Sequence, residues 1–550
     1  MTSHDRVQSA IRRIDELMSQ RHAEGLGPGL SLAFTTNEEL LATRTYGVAN
    51  ADSREPVTER TLFQIGSITK HFTAAACLRL HDQGRLDVNA PVTEVLDWFK
   101  VKSRFEAPIR IHHLLTHTSG TIMMMDCCPS SWWQTWALRD TELGFEPGAK
   151  FSYSNVGYNA LQCVIQTITG LRFDASLRDL VLEPLGMSES YGEIMNGLHD
   201  RMAKGHKYSA HDDRPVARPE KQIVVNWYEL SQGCASVVTT PTDLAKFLRM
   251  LLNGGRDDDG SEFLRPGTFE RMTHPHAEIS GFFRGTKQGY GLLVEQSEDT
   301  NNHRRVIGGG ENLGFEASMY GDFDAGVGVI LFCNSFDVAW QETRWLLDTL
   351  VAASQDEEPP QFPELRPLFP QPLGEKASEY VGRYRSDVRS FTITEEGGHL
   401  SLASDGTTAR LEPLWGDQFL AAHPSFDHAM LSFGRSEKGT VVEAFQLGAW
   451  YRNEAYEGPE SYDHAIEWDA YTGHYRAFGV LVGSLKFFVR KGQLICQSFG
   501  GHADTTLTDL GHGTFRVGDE SSPHRMTFDC IADGKTLRCR ASDGDFYRLQ

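Results

Sequence analysis

Between Glu357 and Pro372 six prolines fall within a short run, and this constrains the fold of the 550-residue chain more than any other feature. Proline fixes φ and removes a backbone donor, so neither helix nor sheet continues through Pro359, Pro360, Pro363, Pro367, Pro370 and Pro372. The run reads as a linker. Before it, helical stretches alternate with short β-branched strands such as 327–332; after it, alternating strands and Gly/Asp turns take over.

The second half repeats itself. Tyr380-Val381-Gly382-Arg383-Tyr384-Arg385 is echoed by Tyr471-Thr472-Gly473-His474-Tyr475-Arg476, and each copy is followed by a strand, a glycine turn and a second strand. Two tandem copies of one antiparallel β unit are predicted, closed as barrels or sandwiches. The expected division is a first domain at 1–356, a linker at 357–372, and β domains at 373–465 and 466–550.

Hydrophobic residues make up 40% of the chain and charged residues 23%, enough apolar surface to order most of it. A net charge of −21 argues against a nucleic-acid partner, which needs clustered Lys and Arg. Nine cysteines, Cys127 and Cys128 adjacent among them, form no CxxC pair, so reduced thiols are expected, with no metal and no other cofactor. Ile11, Ile14, Leu17 and Met18 recur at helical spacing with no apolar signal core before them, and no apolar run reaches the roughly twenty residues that cross a bilayer. A cytoplasmic chain without a membrane partner follows as the expectation, and a homodimer is open to it.

Three strings carry chemistry. Gly66-Ser67-Ile68-Thr69-Lys70 precedes an apolar, Ala-rich helix, so Ser67 and Lys70 lie one turn apart on one face, with the helix N-terminus favouring a developing oxyanion. Pro147-Gly148 sets up a loop bearing Ser152-Tyr153-Ser154-Asn155, where Tyr153 could take the serine proton and Asn155 could donate to a carbonyl. Gly308-Gly309-Gly310-Glu311 at a strand edge lets backbone approach a ligand, and an N–H there could complete an oxyanion hole with that of Ser67. No helical pattern follows these glycines at once, so they are not a dinucleotide fingerprint.

Each string alone is common: an N-cap serine, a loop tyrosine, a β-turn. Their joint order and spacing resemble the serine β-lactamase and penicillin-binding superfamily, over approximately the first 350 residues. Leu114-Leu115-Thr116-His117-Thr118-Ser119-Gly120, Glu183-Pro184-Leu185-Gly186-Met187 and Thr240-Pro241-Thr242-Asp243-Leu244 are similar to further landmarks of that family. The resemblance implies an α+β class: a β-lactamase-like α/β sandwich, an antiparallel sheet with flanking helices and a helical subdomain. With two antiparallel β-barrels behind it, the architecture is similar to that of the bacterial D-aminopeptidases.

Two departures stand out. Many relatives carry a basic residue two before the last glycine of the third string, where this chain has Gly308, so a cationic anchor for a substrate carboxylate is missing unless His303 or Arg304 supplies one. D-Aminopeptidases send an acidic loop of the last barrel to the cleft, whereas the equivalent stretch here, 477–484, is apolar. Ile122, Met123, Met124 and Met125, with Trp132, Trp133 and Trp136, are expected to line the substrate entrance, which suits an apolar ligand.

The expected reaction is acyl transfer through Ser67 to a small-molecule or short-peptide amide or ester, as in a D-aminopeptidase, amidase or esterase. Lys70 or Tyr153 takes the proton, Asn155 orients substrate and Lys70, and the N–H groups of Ser67 and Glu311 hold the oxyanion. Two alternatives stay open: a sensor that keeps the fold without turnover, and a β-lactamase or D,D-carboxypeptidase.

Overall fold

A computed structural model describes residues 3–125, 130–211, 214–225, 228, 231–279, 285–336, 340–363, 373–414, 416–426, 429–477, 483–498, 504–542 and 544–549. The chain divides into two units, one of 1–207 with 222–365 and one of 208–221 with 366–550.

The first unit is built on one antiparallel sheet whose two faces are both covered, so its central strands are buried over almost their whole length. The strands up to residue 333, of which β5 and β6 run into the second unit, are in chain order β1 (Gly29–Thr36), β2 (Leu40–Asn50), β3 (Glu55–Pro56), β4 (Phe63–Gln64), β5 (Gly205–His211), β6 (Arg214–Val225), β7 (Val238–Thr239), β8 (Ala277–Glu278), β9 (Thr286–Gln288), β10 (Leu293–Glu295), β11 (Arg305–Asn312), β12 (Phe315–Asp322) and β13 (Val327–Cys333). Nine of them form the sheet in the order β3-β2-β1-β13-β12-β11-β10-β9-β8, while β4 pairs with β7 and β5 with β6.

Side chains alternate between the faces. Leu30, Leu32, Phe34, Val329 and Leu331 pack with Ile11, Ile14 and Met18 of α1 (Ser3–Ala23) and with Leu346, Leu347 and Leu350 of the last helix of the unit, Trp340–Gln355. Ala33, Ala317, Met319, Ile330 and Phe332 point the other way, into a larger core shared with α2 (Thr69–Asp82). Further helices of this unit are α3 (Ile111–Leu115), α4 (Ser131–Ala137) and α5 (Asn155–Thr169). The spacing of Ile11, Ile14 and Met18 thus marks a stripe that covers one sheet face, while α2 is buried nearly all round.

The second unit holds two closed eight-stranded antiparallel barrels, at 382–452 and 473–548. The repeated string has the same role in each. Tyr384 Oη donates to the Tyr380 carbonyl at 2.9 Å, and Tyr475 Oη donates to the Tyr471 carbonyl at the same 2.9 Å. The intervening Gly382 and Gly473 take φ of 155° and 149°, a region closed to most L-residues, so the Tyr-x-Gly-x-Tyr spacing is a backbone requirement. Among the described residues no helix is long and apolar enough to cross a membrane.

Candidate active site

Ser67 sits in a 3-10 turn, Gly66–Ile68, that leads directly into α2. The turn is forced by Gly66, whose φ is 49° and whose missing Cβ would stand 2.5 Å from the backbone nitrogen of Glu311. One turn later Lys70 lies inside the core, only 2% exposed. Burying an ammonium is costly unless donors are satisfied. Lys70 Nζ donates to Ser67 Oγ at 3.1 Å and to the Cys234 carbonyl at 2.9 Å, and it lies 4.8 Å from the centre of the Tyr153 ring.

Tyr153 closes the group from the opposite side, its hydroxyl 2.7 Å from Ser67 Oγ. The next residue explains its placement. Ser154 is the N-cap of α5, accepting from the Gly157 N–H at 3.0 Å, so the Tyr-Ser-Asn string is a helix start that leaves Tyr153 one residue outside the helix. His117 clamps the same loop: its carbonyl accepts from the Ser152 N–H at 2.8 Å and its Nδ1 from the Ser154 N–H at 3.0 Å. Burial, then nearby Lys70, push the His117 imidazole well below its ordinary pKa, so it stays neutral and Nδ1 keeps its acceptor role.

The glycine string is β11. It pairs with β12 along its whole length but with β10 only over Arg305–Ile307, leaving the edge beyond unpaired among the described strands. The serine turn occupies that edge. A Cβ on Gly310 would fall 2.0 Å from the Ile65 carbonyl and 2.8 Å from the Ser67 nitrogen, so only glycine permits the approach. Alternation puts Gly308, Gly310 and Asn312 on the Ser67 face, with Gly309 and Glu311 on the other, since Val306 enters the α2 core and Ile307 the opposite one. The side chain of Glu311 therefore lies on the face opposite Ser67, while its backbone nitrogen meets Gly66 of the serine turn.

Several expectations need revision. Orientation of Lys70 comes from the Cys234 carbonyl, while Asn155 Oδ1 is buried without a hydrogen-bond partner. Neither His303 nor Arg304 reaches the place opposite Gly308. His303 Nδ1 is held 2.9 Å from Asp322, Arg304 donates to the Thr273 carbonyl at 3.1 Å, and both lie roughly 20 Å along the strand from Gly310. That place is taken by His71, whose Nε2 would be 2.9 Å from a Cβ on Gly308. Of the apolar entrance residues, Ile122 and Met125 are buried in the core, whereas Met123 is 40% exposed and its carbonyl accepts from the Asn155 N–H. Trp132 packs on Trp98 and donates to Gln166, three turns along α5 from Asn155, so it lies away from the serine.

Cys234 acts through its backbone, which no residue-type pattern reveals. His117 stands in a string recognised above, yet its function as a clamp depends on a loop more than thirty residues later. His71 follows Lys70 directly and gave no signal of its own.

A family model described as beta-lactamase matches residues 14–353, the stretch that contains the whole cluster. The chain belongs to the beta-lactamase family. Penicillin-binding protein 4 of Amycolatopsis lactamdurans is 30% identical over 293 residues, which is 51% of this chain and 74% of that protein. Protein flp of Staphylococcus aureus strain N315 is 28% identical over 251 residues, 44% of this chain and 49% of that one, so the chain spans about half the length of the staphylococcal relatives. Among solved structures, the octameric penicillin-binding protein homologue of Pyrococcus abyssi aligns with a TM-score of 0.54 at 20% identity, over 80% of this chain and 99% of that one. The D-amino acid amidase of Ochrobactrum anthropi SV3 aligns at 0.51 with 24% identity, over 64% and 99%. These structures share the beta-lactamase-family fold. The apolar stretch of the last barrel, 477–484, lies largely outside the described residues.

Proposed function

We propose that this protein is a serine acyl hydrolase working on a small, partly apolar amide or ester, in the manner of a D-aminopeptidase, amidase or esterase. The observation that carries the reading is the shared hydroxyl: Ser67 Oγ lies within hydrogen-bond reach of Lys70 Nζ and of Tyr153 Oη, at 3.1 and 2.7 Å.

In the first step Ser67 Oγ forms a bond to the substrate carbonyl carbon while its proton passes to the Lys70–Tyr153 pair. Both groups flank the one oxygen, so proton acceptance is assigned to the pair. The N–H groups of Ser67 and Glu311, brought together by the contact of Gly66 with β11, stabilise the oxyanion. Collapse breaks the bond to the amine or alcohol, which leaves with the proton. Water then attacks the seryl ester, releases the acid and restores Ser67. Asn155, with a buried oxygen free of partners at the start of α5, is suited to accept from an N–H of the substrate.

The test is a comparison of initial rates on D- and L-alaninamide and on a short-chain 4-nitrophenyl ester, with Ser67→Ala as control. Multiple turnovers that vanish in Ser67→Ala support the reading. A single stoichiometric burst in the wild type would instead mark a sensor.

A further inference from the structure

The residue that follows Lys70 occupies the ground where a third-string side chain would stand. Gly308 lies on the Ser67 face of β11, two residues and about 7 Å from Gly310, which packs on the Ser67 nitrogen. Any side chain at 308 would begin at a Cβ 2.9 Å from His71 Nε2 and 3.1 Å from Cε1. His71 has little freedom to yield. It is 3% exposed on a helix buried nearly all round, with the Phe247 ring edge-on at 6.4 Å.

We infer that His71 is a specificity-determining residue: by filling the space over Gly308 it excludes a cationic arm from the strand beside Ser67, restricting the site to esters and amides that carry no carboxylate beside the scissile bond. This names the substrate class of the hydrolase reading above and rests on it.

Three observations carry the exclusion. Gly308, Gly310 and Asn312 are the residues β11 presents on this face, and none bears a charge; Asn312 Nδ2 is committed to Gln64 and the Ala235 carbonyl. Lys70 Nζ is committed to Ser67 and the Cys234 carbonyl. His303 and Arg304 are bound at the far end of the strand. His71 is not a substitute cation, because burial first and Lys70 second lower its pKa to about 3, and neither ring nitrogen makes a well-formed hydrogen bond. A carboxylate next to the scissile bond would lose its water and meet no partner charge, which is discrimination by an uncompensated ion.

The experiment compares kcat/KM for phenyl butanoate and 3-carboxyphenyl butanoate, each divided by its rate of alkaline hydrolysis. The wild type is expected to favour the neutral ester roughly tenfold or more, the scale of one charge-assisted hydrogen bond. The double variant His71→Ala/Gly308→Lys, which removes the ring and adds the arm, is expected to cut that preference about tenfold while a fluorophosphonate still labels Ser67 one to one. Equal wild-type rates on both esters would overturn the inference alone, and so would an unchanged preference in a fully labelled double variant. Absence of both turnover and label in the wild type would overturn the hydrolase reading, and this inference with it. The wild-type ratio decides the matter even where the double variant does not fold.

Discussion

The imidazole of His117 lies against the phenol of Tyr153, ring centroids 4.4 Å apart and planes tilted by 32°. The same residue ties down the backbone on both sides of Tyr153, and its own φ of 55° is one that asparagine tolerates and most residues do not. His117→Asn is therefore expected to fold and to keep an acceptor for the Ser154 N–H, but to lose the ring that backs Tyr153. A displaced phenol lowers kcat by about 10²-fold with KM little changed. Steady-state kinetics beside a thermal melt checks this, and a rise in KM at constant kcat would contradict it.

Ser67→Ala, Lys70→Met and Tyr153→Phe should each reduce kcat/KM by about 10³-fold or more. Because the three side chains act on one proton, the triple variant should be hardly worse than the worst single one. Intact-protein mass after fluorophosphonate treatment should show one adduct in the wild type and none in Ser67→Ala.

Gly310→Ala places a methyl group 2.0 Å from the Ile65 carbonyl and 2.8 Å from the Ser67 nitrogen, both backbone atoms that move only with the serine turn. Loss of the oxyanion geometry is expected to cost about 10²-fold or more in kcat. Gly267→Ala serves as the contrast: that exposed helical position has nothing within 4 Å and an ordinary φ, so activity should be unaffected and stability should rise by about 0.5–1 kcal/mol.

Acid should destabilise the fold before it titrates carboxylates. Burial, with Lys70, lowers the His71 pKa to about 3, and burial, with His276, lowers that of His112 to about 4. The unfolded chain takes up protons on both residues below about pH 6.5, whereas the folded chain does so only near the lowered values. The stability these neutral imidazoles contribute is present above pH 6.5 and is lost as pH falls through that window. Urea midpoints at pH 7 and pH 4.5 should show the drop, and His71→Phe should flatten it.

Much of the architecture was legible because it rests on local rules. Tyr380 and Tyr471 announce a repeat whose hydrogen bond and glycine conformation are confined to five residues, and Ser67 and Lys70 share a helix face by spacing alone. Tyr153 was recognisable only in company with the other strings, since nothing local ties a loop phenol to a serine eighty-six residues earlier.

The amino-acid order by itself determined the elements, the doubled β unit and the residues able to do acyl chemistry, since periodicity, turn preference and reactive groups travel with each residue. Tertiary structure alone decided how they are held: that a backbone carbonyl at Cys234 anchors Lys70, that the backbone of Glu311 meets Gly66 of the serine turn, and that His71 stands over Gly308. Those relations join atoms distant in the chain, and backbone groups look the same at every position of a sequence, so only packing selects which of them face the serine.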